Sequence, residues 1–160
     1  MTKLFVYGDD IDTDRIIPGK YTKTLDRAEL AAHAFEDLDP SFRSRVEPGA
    51  IVVAGLNFGC GSSREQAAVA IKASGVALVV ARSFARIFFR NAINIGLPLM
   101  EIPDHSIAAD ALLDYNLEAG WLRDFRADKC YRVAAMPPFL RAIIAAGGLV
   151  PYLKEKGQYD

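Results

Sequence analysis

The chain contains 160 residues, of which 51% are hydrophobic, so it is long enough and apolar enough to form one domain with a sizeable core. Its 19 basic residues are balanced by 20 acidic ones, and the net charge of −1 argues against a general nucleic-acid or membrane-surface role, since both need a basic excess. The two cysteines, Cys60 and Cys130, lie far apart without metal-ligand spacing, so we expect no metal site within this chain alone.

The N-terminal part of the chain predicts one strand and one helix. The strand is the apolar stretch Leu4–Tyr7, which is far too short for a signal peptide or a membrane span, so we expect a cytoplasmic protein that does not contact a membrane. The turn-rich stretch Asp9–Gly19 follows the strand. Helical spacing then predicts a helix over Arg27–Phe35 with Asp26 as its N-cap, and residues 40–48 are predicted to form a loop.

Strands and helices alternate through the rest of the chain. Continuous apolar runs predict strands over Ala50–Ala54, Val76–Ala81 and Leu97–Ile102. Helices are predicted over Ser63–Ser74, Phe84–Asn94, Asp104–Tyr115 and Phe139–Ala146, with a further strand over Tyr131–Ala134 and a flexible polar tail over 154–160. Solid apolar strands separated by helices indicate a single α/β domain with a mostly parallel or mixed central sheet.

The most informative segment is GLNFGCGSSREQA, which runs from Gly55 to Ala67 between a predicted strand and a predicted helix. Its glycines permit a close backbone approach to a ligand, and the helix start adds unpaired N–H groups. Ser62, Ser63 and Arg64 supply hydroxyls and a bidentate anion donor. Because the segment lacks the patterns of phosphate loops, dinucleotide fingerprints and nucleophile elbows, a carboxylate is the expected ligand. The alternative is a plain serine-capped helix after a tight turn.

Two further clusters accompany this segment. Four aspartates stand close together in DDIDTDR, which ends at Arg15, and they indicate either a solvated acidic turn or part of a site. After the strand 76–81, Ser83 is a candidate N-cap, and Arg82 and Arg86 are able to face anions or to form ordinary ion pairs. His33 and His105 are isolated, and we expect them to be surface or helix residues rather than catalysts.

The three motifs YGDDIDTDRIIPGKY, GLNFGCGSSREQA and ARSFARIFFRNAINIGLP resemble the small subunits of aconitase-type hydro-lyases. That family includes the small subunits of 3-isopropylmalate dehydratase and homoaconitase and the swivelling domain of aconitase. The resemblance covers nearly the whole chain. It implies a single swivelling β/β/α domain over 1–160 and an enzyme that is active only together with a large subunit.

The resemblance also implies roles for individual residues. Ser62 corresponds to the base that removes a proton next to a carboxylate, and Asp14 to a site aspartate that steers proton transfer or holds a partner residue. Ser63 and Arg64 would bind a substrate carboxylate, with support from Arg82 and Arg86. A [4Fe–4S] cluster would be held by three cysteines of the large subunit, in a heterodimer or heterotetramer, and not by Cys60.

Two positions bear on the substrate. Gln66 stands where the family often has a histidine. The resemblance implies that the loop containing Lys23 meets the distinguishing side chain of the diacid, and a basic residue there favours a substrate with an extra carboxylate. The first expectation is isomerisation of 2-isopropylmalate and 3-isopropylmalate in leucine biosynthesis. The alternatives are a homoaconitase or dimethylmalate dehydratase small subunit, or a stand-alone carboxylate-binding module.

Overall fold

Four parallel strands form the central sheet of the computed structural model, which describes residues 2–157. The strands lie side by side in chain order, as β1 Leu4–Val6, β2 Ala50–Val53, β3 Val76–Ala81 and β4 Leu99–Glu101. Most of their apolar residues are buried, on both faces of the sheet, which explains why the sequence shows no alternation there. Because all four strands run in the same direction, their carboxyl ends meet along one edge.

A second, antiparallel sheet covers one face of the central sheet. It consists of β5 Leu113–Asn116, β6 Trp121–Asp124 and β7 Lys129–Arg132. A hydrophobic cluster that includes Val53, Val80 and Leu122 joins the two sheets. The helix predicted over Asp104–Tyr115 was therefore wrong: residues 113–116 alternate between half-buried and exposed positions, and cross-strand pairing with β6 overrides the helix propensity of the preceding alanines.

Helices cover the other face, so the layers are sheet, sheet and helix. The helices are α1 Thr13–Ile16, α2 Arg27–Ala32, α3 Phe42–Arg45, α4 Glu65–Ala73, α5 Arg86–Asn94, α6 Pro138–Ala146 and α7 Leu149–Glu155. They share a second core with the strands, in which Leu30, Phe42, Ile71 and Phe88 pack against Val52 and Val79. This arrangement confirms the predicted β/β/α fold with a parallel central sheet. In residues 2–157, no helix is both long and apolar enough to cross a membrane.

Several predicted boundaries shift in the structure. Asp26 caps α2 as predicted, accepting a hydrogen bond from the Glu29 backbone at 3.1 Å. Ser83 does not cap α5: its hydroxyl instead accepts a hydrogen bond from the Asn57 backbone at 2.7 Å, and Ala85 is the N-cap. The predicted loop 40–48 contains α3, and the strand predicted over Tyr131–Ala134 lies two residues earlier as β7. The predicted tail over 154–160 overlaps the end of α7, and its last three residues lie outside the described residues.

The loop after β2 lies very close to α5 at Gly59. Gly59 has φ +83°, and a Cβ at this position would overlap the Phe88 side chain. Gly49 has a similar φ of +92°, but a Cβ added there would meet no atom within 4 Å. The two glycines therefore share the conformational requirement and differ in packing.

We expect Gly59→Ala to destabilise the protein by about 1–3 kcal/mol more than Gly49→Ala, because only the first substitution adds overpacking to backbone strain. Urea unfolding of both variants measures the difference. Equal losses of unfolding free energy would contradict the close packing of this loop on α5.

His105 connects the central sheet to the loop after β4. It is 5% exposed, which corrects the expectation of a surface or helix residue. Its Nε2 lies 2.7 Å from the Ala54 carbonyl oxygen, which can only accept a hydrogen bond, so Nε2 carries the proton. Burial lowers the pKa of His105, and the nearby Arg82 guanidinium lowers it further, despite the opposing hydrogen bond to Ala54.

A lowered pKa means that the unfolded chain binds a proton more readily than the folded one. We therefore expect the unfolding free energy of the parent protein to fall, relative to that of His105→Gln, as the pH decreases from about 6.5. The slope of this difference is at most about 1.4 kcal/mol per pH unit. Denaturant unfolding measures it between about pH 5 and 7, where histidine changes its charge. If the unfolding free energies of the parent and of His105→Gln changed with pH in parallel, His105 would not be buried as a neutral side chain.

Candidate functional site

Three loops follow β1, β2 and β3 at the carboxyl edge of the sheet, and backbone hydrogen bonds join them. We call them the first loop (residues 7–14, which include the start of α1), the second loop (54–64) and the third loop (82–85). Gly59 donates to Ile11 and Thr13 donates to Cys60, both at 2.8 Å, which connects the first two loops. The second loop is joined to the third where Phe58 donates to Ser83 at 3.0 Å. Ligands of open α/β sheets bind at this kind of edge.

The acidic cluster of the first loop divides into structural and site residues. The Asp9 carboxylate accepts a hydrogen bond from the Leu56 backbone at 2.7 Å, and that of Asp10 accepts one from the Asn57 amide at 3.1 Å. Asp12 caps α1 by accepting from the Arg15 backbone at 3.0 Å. Asp9 and Asp10 therefore join the first loop to the second, and Asp12 fixes the start of α1. The fourth, Asp14, turns towards the second loop.

Arg64 pairs with Asp14 across the two loops through its Nη1 atom. The Arg64 side chain is 29% exposed and that of Asp14 is 65% exposed, so the pair lies at the surface of the site. Gly19 leaves room for the arginine, because a Cβ there would lie 3.2 Å from Arg64 Nη2. The guanidinium is thus held in place while part of it stays open to solvent.

Ser62 contacts Thr13, a residue that sequence reasoning missed. The two hydroxyl oxygens lie 3.1 Å apart, and either one is able to donate. Thr13 is 2% exposed, at the first position of α1, whereas Ser62 is exposed. The only sequence signal for Thr13 is its place between Asp12 and Asp14. The structure therefore brings the predicted Ser62, Arg64 and Asp14 together and adds Thr13.

The start of α4 lies at the same place. Within residues 2–157, no side chain caps this helix: Arg64 occupies the N-cap position, and its guanidinium points to Asp14. The alternative of a plain serine-capped helix is therefore not what the structure shows. Ser63 is exposed, and its carbonyl is 3.5 Å from the Asn91 amide nitrogen, which donates to it. Free N–H groups at a helix start attract anions such as carboxylates.

The remaining predicted site residues have other neighbours. Lys23 is exposed in the segment between the short 3₁₀ turn Gly19–Tyr21 and α2. Arg82 donates from Nη2 to the His105 carbonyl at 2.8 Å and lines an open cavity of about 320 Å³ with Asp9 and His105. Arg86 begins α5 and lines an apolar groove against α6.

The cysteines of this chain do not fit an iron–sulfur cluster. Burial raises the pKa of Cys60, and the carboxylates of Asp12 and Asp10 raise it further, so the thiolate that a metal needs is disfavoured. Cys130 is exposed on β7. Among the described residues, no group of three or more His, Cys, Asp or Glu side chains is disposed to hold a metal ion.

Comparison with known proteins places this geometry in a family. The aconitase C-terminal domain family matches residues 6–105. The chain is 54% identical over 156 residues to the 3-isopropylmalate dehydratase small subunit of Moorella thermoacetica, covering 96% of this chain and 94% of that one. It is 50% identical over 152 residues to the 2,3-dimethylmalate dehydratase small subunit of Eubacterium barkeri, with 94% and 93% covered.

A solved structure agrees with the sequence relatives. The crystal structure of a 3-isopropylmalate dehydratase from Methanocaldococcus jannaschii matches with a TM-score of 0.90 and 44% identity, covering 98% of this chain and 93% of that one. The resemblance inferred from the three motifs is thereby confirmed, and this chain belongs to the aconitase C-terminal domain family.

Proposed function

We propose that this chain is the small subunit of a 3-isopropylmalate dehydratase, a hydro-lyase that interconverts 2-isopropylmalate and 3-isopropylmalate in leucine biosynthesis. The observation that carries the proposal is the meeting of Ser62, Thr13, Arg64 and Asp14 beside the start of α4. High identity to dehydratase small subunits over nearly the whole chain supports it. The chain would act in the cytoplasm as one swivelling domain.

Arg64 would bind one carboxylate of the diacid. A guanidinium presents parallel N–H donors that match a carboxylate, and the pair with Asp14 orients them before the substrate arrives. Ser63 and the N–H groups at the start of α4 would add donors to the same carboxylate. Arg82 and Arg86 would add positive charge around the site without contacting the reacting atoms.

Ser62 would take the proton from the carbon next to a carboxylate, and the hydroxyl group of the substrate would leave, giving an enoic diacid. The reverse sequence, with water adding at the other carbon, completes the isomerisation. A serine hydroxyl must lose its own proton to act as a base, and the resulting alkoxide needs hydrogen-bond donors. The buried Thr13 hydroxyl, 3.1 Å from that of Ser62, would donate a hydrogen bond to it, and the charge of Arg64, two residues along the chain, would stabilise it further.

A large subunit is required because this chain offers only one wall of a site. Ser62, Ser63 and Asp14 are all exposed, and water would reach a substrate bound to them. The partner would hold a [4Fe–4S] cluster, which supplies Lewis-acid chemistry at the leaving hydroxyl when it is bound. The two chains would form a heterodimer or heterotetramer, with the small diacid bound between them.

The second candidate is a dehydratase of a differently substituted malate. Lys23 favours the homoaconitase form of this candidate, since an exposed ammonium suits an extra carboxylate better than an isopropyl group. The dimethylmalate form is supported instead by the relative from Eubacterium barkeri, a 2,3-dimethylmalate dehydratase small subunit. A stand-alone carboxylate-binding module is the candidate from outside the enzymes.

The direct test is anaerobic co-expression of the chain with the large subunit encoded nearest to it. The purified pair is given isopropylmalate, 2,3-dimethylmalate and homoaconitate in parallel. We expect turnover that needs both chains and that Ser62→Ala lowers by about 10³-fold or more, because the variant removes the proton acceptor. Ser44→Ala, an exposed serine on α3, is the matched control and should leave the rate unchanged.

The preferred diacid in this panel decides between the two enzyme candidates. A pair with an intact cluster that turns over no diacid would contradict the enzymatic proposal. Binding of a diacid by the isolated chain would then favour the carboxylate-binding module.

A further inference from the structure

Gln66 connects helix α4 to the segment that carries Lys23. We call residues 19–24 the substrate loop. The half-buried Gln66 is the second residue of α4, and its Nε2 donates a hydrogen bond to the Thr22 carbonyl at 3.0 Å. The two residues are 44 positions apart, so the bond joins separate parts of the chain.

The substrate loop is also held from the side of α2. The Tyr21 ring stacks on that of His33, with centroids 3.7 Å apart and an interplanar angle of 5°. At the end of the loop, the Thr24 hydroxyl accepts a hydrogen bond from the Asp26 backbone at 3.0 Å. The residues on both sides of Lys23 are therefore anchored, while the Lys23 side chain itself is exposed.

The same end of α4 carries the carboxylate-binding arginine. Arg64 is the N-cap of the helix, two positions before Gln66, and its guanidinium lies over Gly19 at the start of the substrate loop. One helix start thus contacts the loop at Gly19 and at Thr22. The separation between the Arg64 guanidinium and residue 23 depends on these two contacts.

We infer that Gln66 is a positioning residue that sets where Lys23 stands relative to Arg64, and so which side chain on the diacid is accepted. The inference rests on the proposed function of the two residues. A substrate whose carboxylate is bound by Arg64 contacts residue 23 only if the substrate loop keeps its position relative to α4. Gln66 acts through the Thr22 backbone and does not itself touch the substrate.

The hydrogen-bonding chemistry of Gln66 predicts which substitutions keep the bond to Thr22 and which remove it. The Thr22 carbonyl needs a donor, which the uncharged amide provides at every pH. Histidine in its neutral form keeps one N–H donor on a side chain of similar reach, whereas methionine keeps the length and apolar packing without a donor. Comparison of Gln66→Met with Gln66→His therefore separates the hydrogen bond from the packing of the side chain.

The first test needs no large subunit. Amide hydrogen exchange of the full chain is measured for residues 19–24 in the parent, Gln66→Met, Gln66→His and Glu29→Gln, the last being an exposed control on α2. We expect about three- to tenfold faster exchange in Gln66→Met alone, the range that loss of one hydrogen bond gives. Unchanged exchange in Gln66→Met, or equal acceleration in Gln66→His, would overturn the anchoring role.

The second test uses the assembled enzyme and two diacids that differ only in the substituent. We expect Gln66→Met to raise KM for the preferred diacid about three- to tenfold with kcat changed less than about twofold, and to reduce the ratio of kcat/KM between the two diacids. Gln66→His should restore both values. A loss in kcat that is equal for both diacids would indicate a merely structural role and overturn the inference.

The two tests separate failure of this inference from failure of the proposed function. A parent pair that turns over no diacid overturns the proposed function, and the role of Gln66 in substrate choice falls with it. An active parent pair whose substrate ratio is untouched by Gln66→Met overturns the inference alone.

Discussion

The backbone hydrogen bonds between the first and second loops are the constraint on which the site depends. Two of them, from Gly59 to Ile11 and from Thr13 to Cys60, extend the pairing of β1 and β2 beyond the ends of the strands. They place the start of α1 beside the start of α4. Because the strands are parallel, two residues 49 positions apart, Thr13 and Ser62, bring their hydroxyls within hydrogen-bonding distance. Without this pairing, Ser62 and Arg64 on the second loop would be separated from their partners Thr13 and Asp14 at the start of α1.

The polar residues around the site form two groups, one that stabilises the loops and one that is exposed to the proposed substrate. Asp9, Asp10 and Asp12 each accept a hydrogen bond from the protein, and these bonds fix the shape of the loops. Asp14 and Arg64 pair with each other at the surface, where such a pair adds little to stability. A pair that stabilises so little is better explained by orientation of the guanidinium than by folding.

The sequence predicted β2 and β3 of the central sheet well because both are short apolar runs that follow a glycine and are rich in β-branched residues. It failed at β5 and β6 of the antiparallel sheet: in β5, Leu113 and Tyr115 alternate with polar residues for only four positions after an alanine-rich stretch. It also missed α7, because Pro151 and the preceding glycines indicate a loop, although proline is tolerated in the first turn of a helix. Such short elements are decided by tertiary pairing rather than by local pattern.

Among the site residues, some were predicted from the sequence and others were found only in the structure. Ser62, Arg64 and Asp14 were found from motifs, and the structure brings them together; their catalytic roles stay predictions. Thr13 was missed because a threonine between two aspartates looks like part of a solvated turn, and only the fold reveals that it is buried. Gln66 was noted as a departure from the family, but its bond to Thr22 joins residues whose proximity no local pattern indicates.

The most direct measurement of the central claim, that the first two loops act as one site, is a double-mutant cycle on the assembled enzyme. The value of kcat/KM is measured for the parent, Asp14→Asn, Arg64→Lys and the double variant. If the pair acts as a unit, the double variant loses at least about tenfold less than the product of the two single losses. If the loops act independently, the single losses multiply, and a shared site is contradicted.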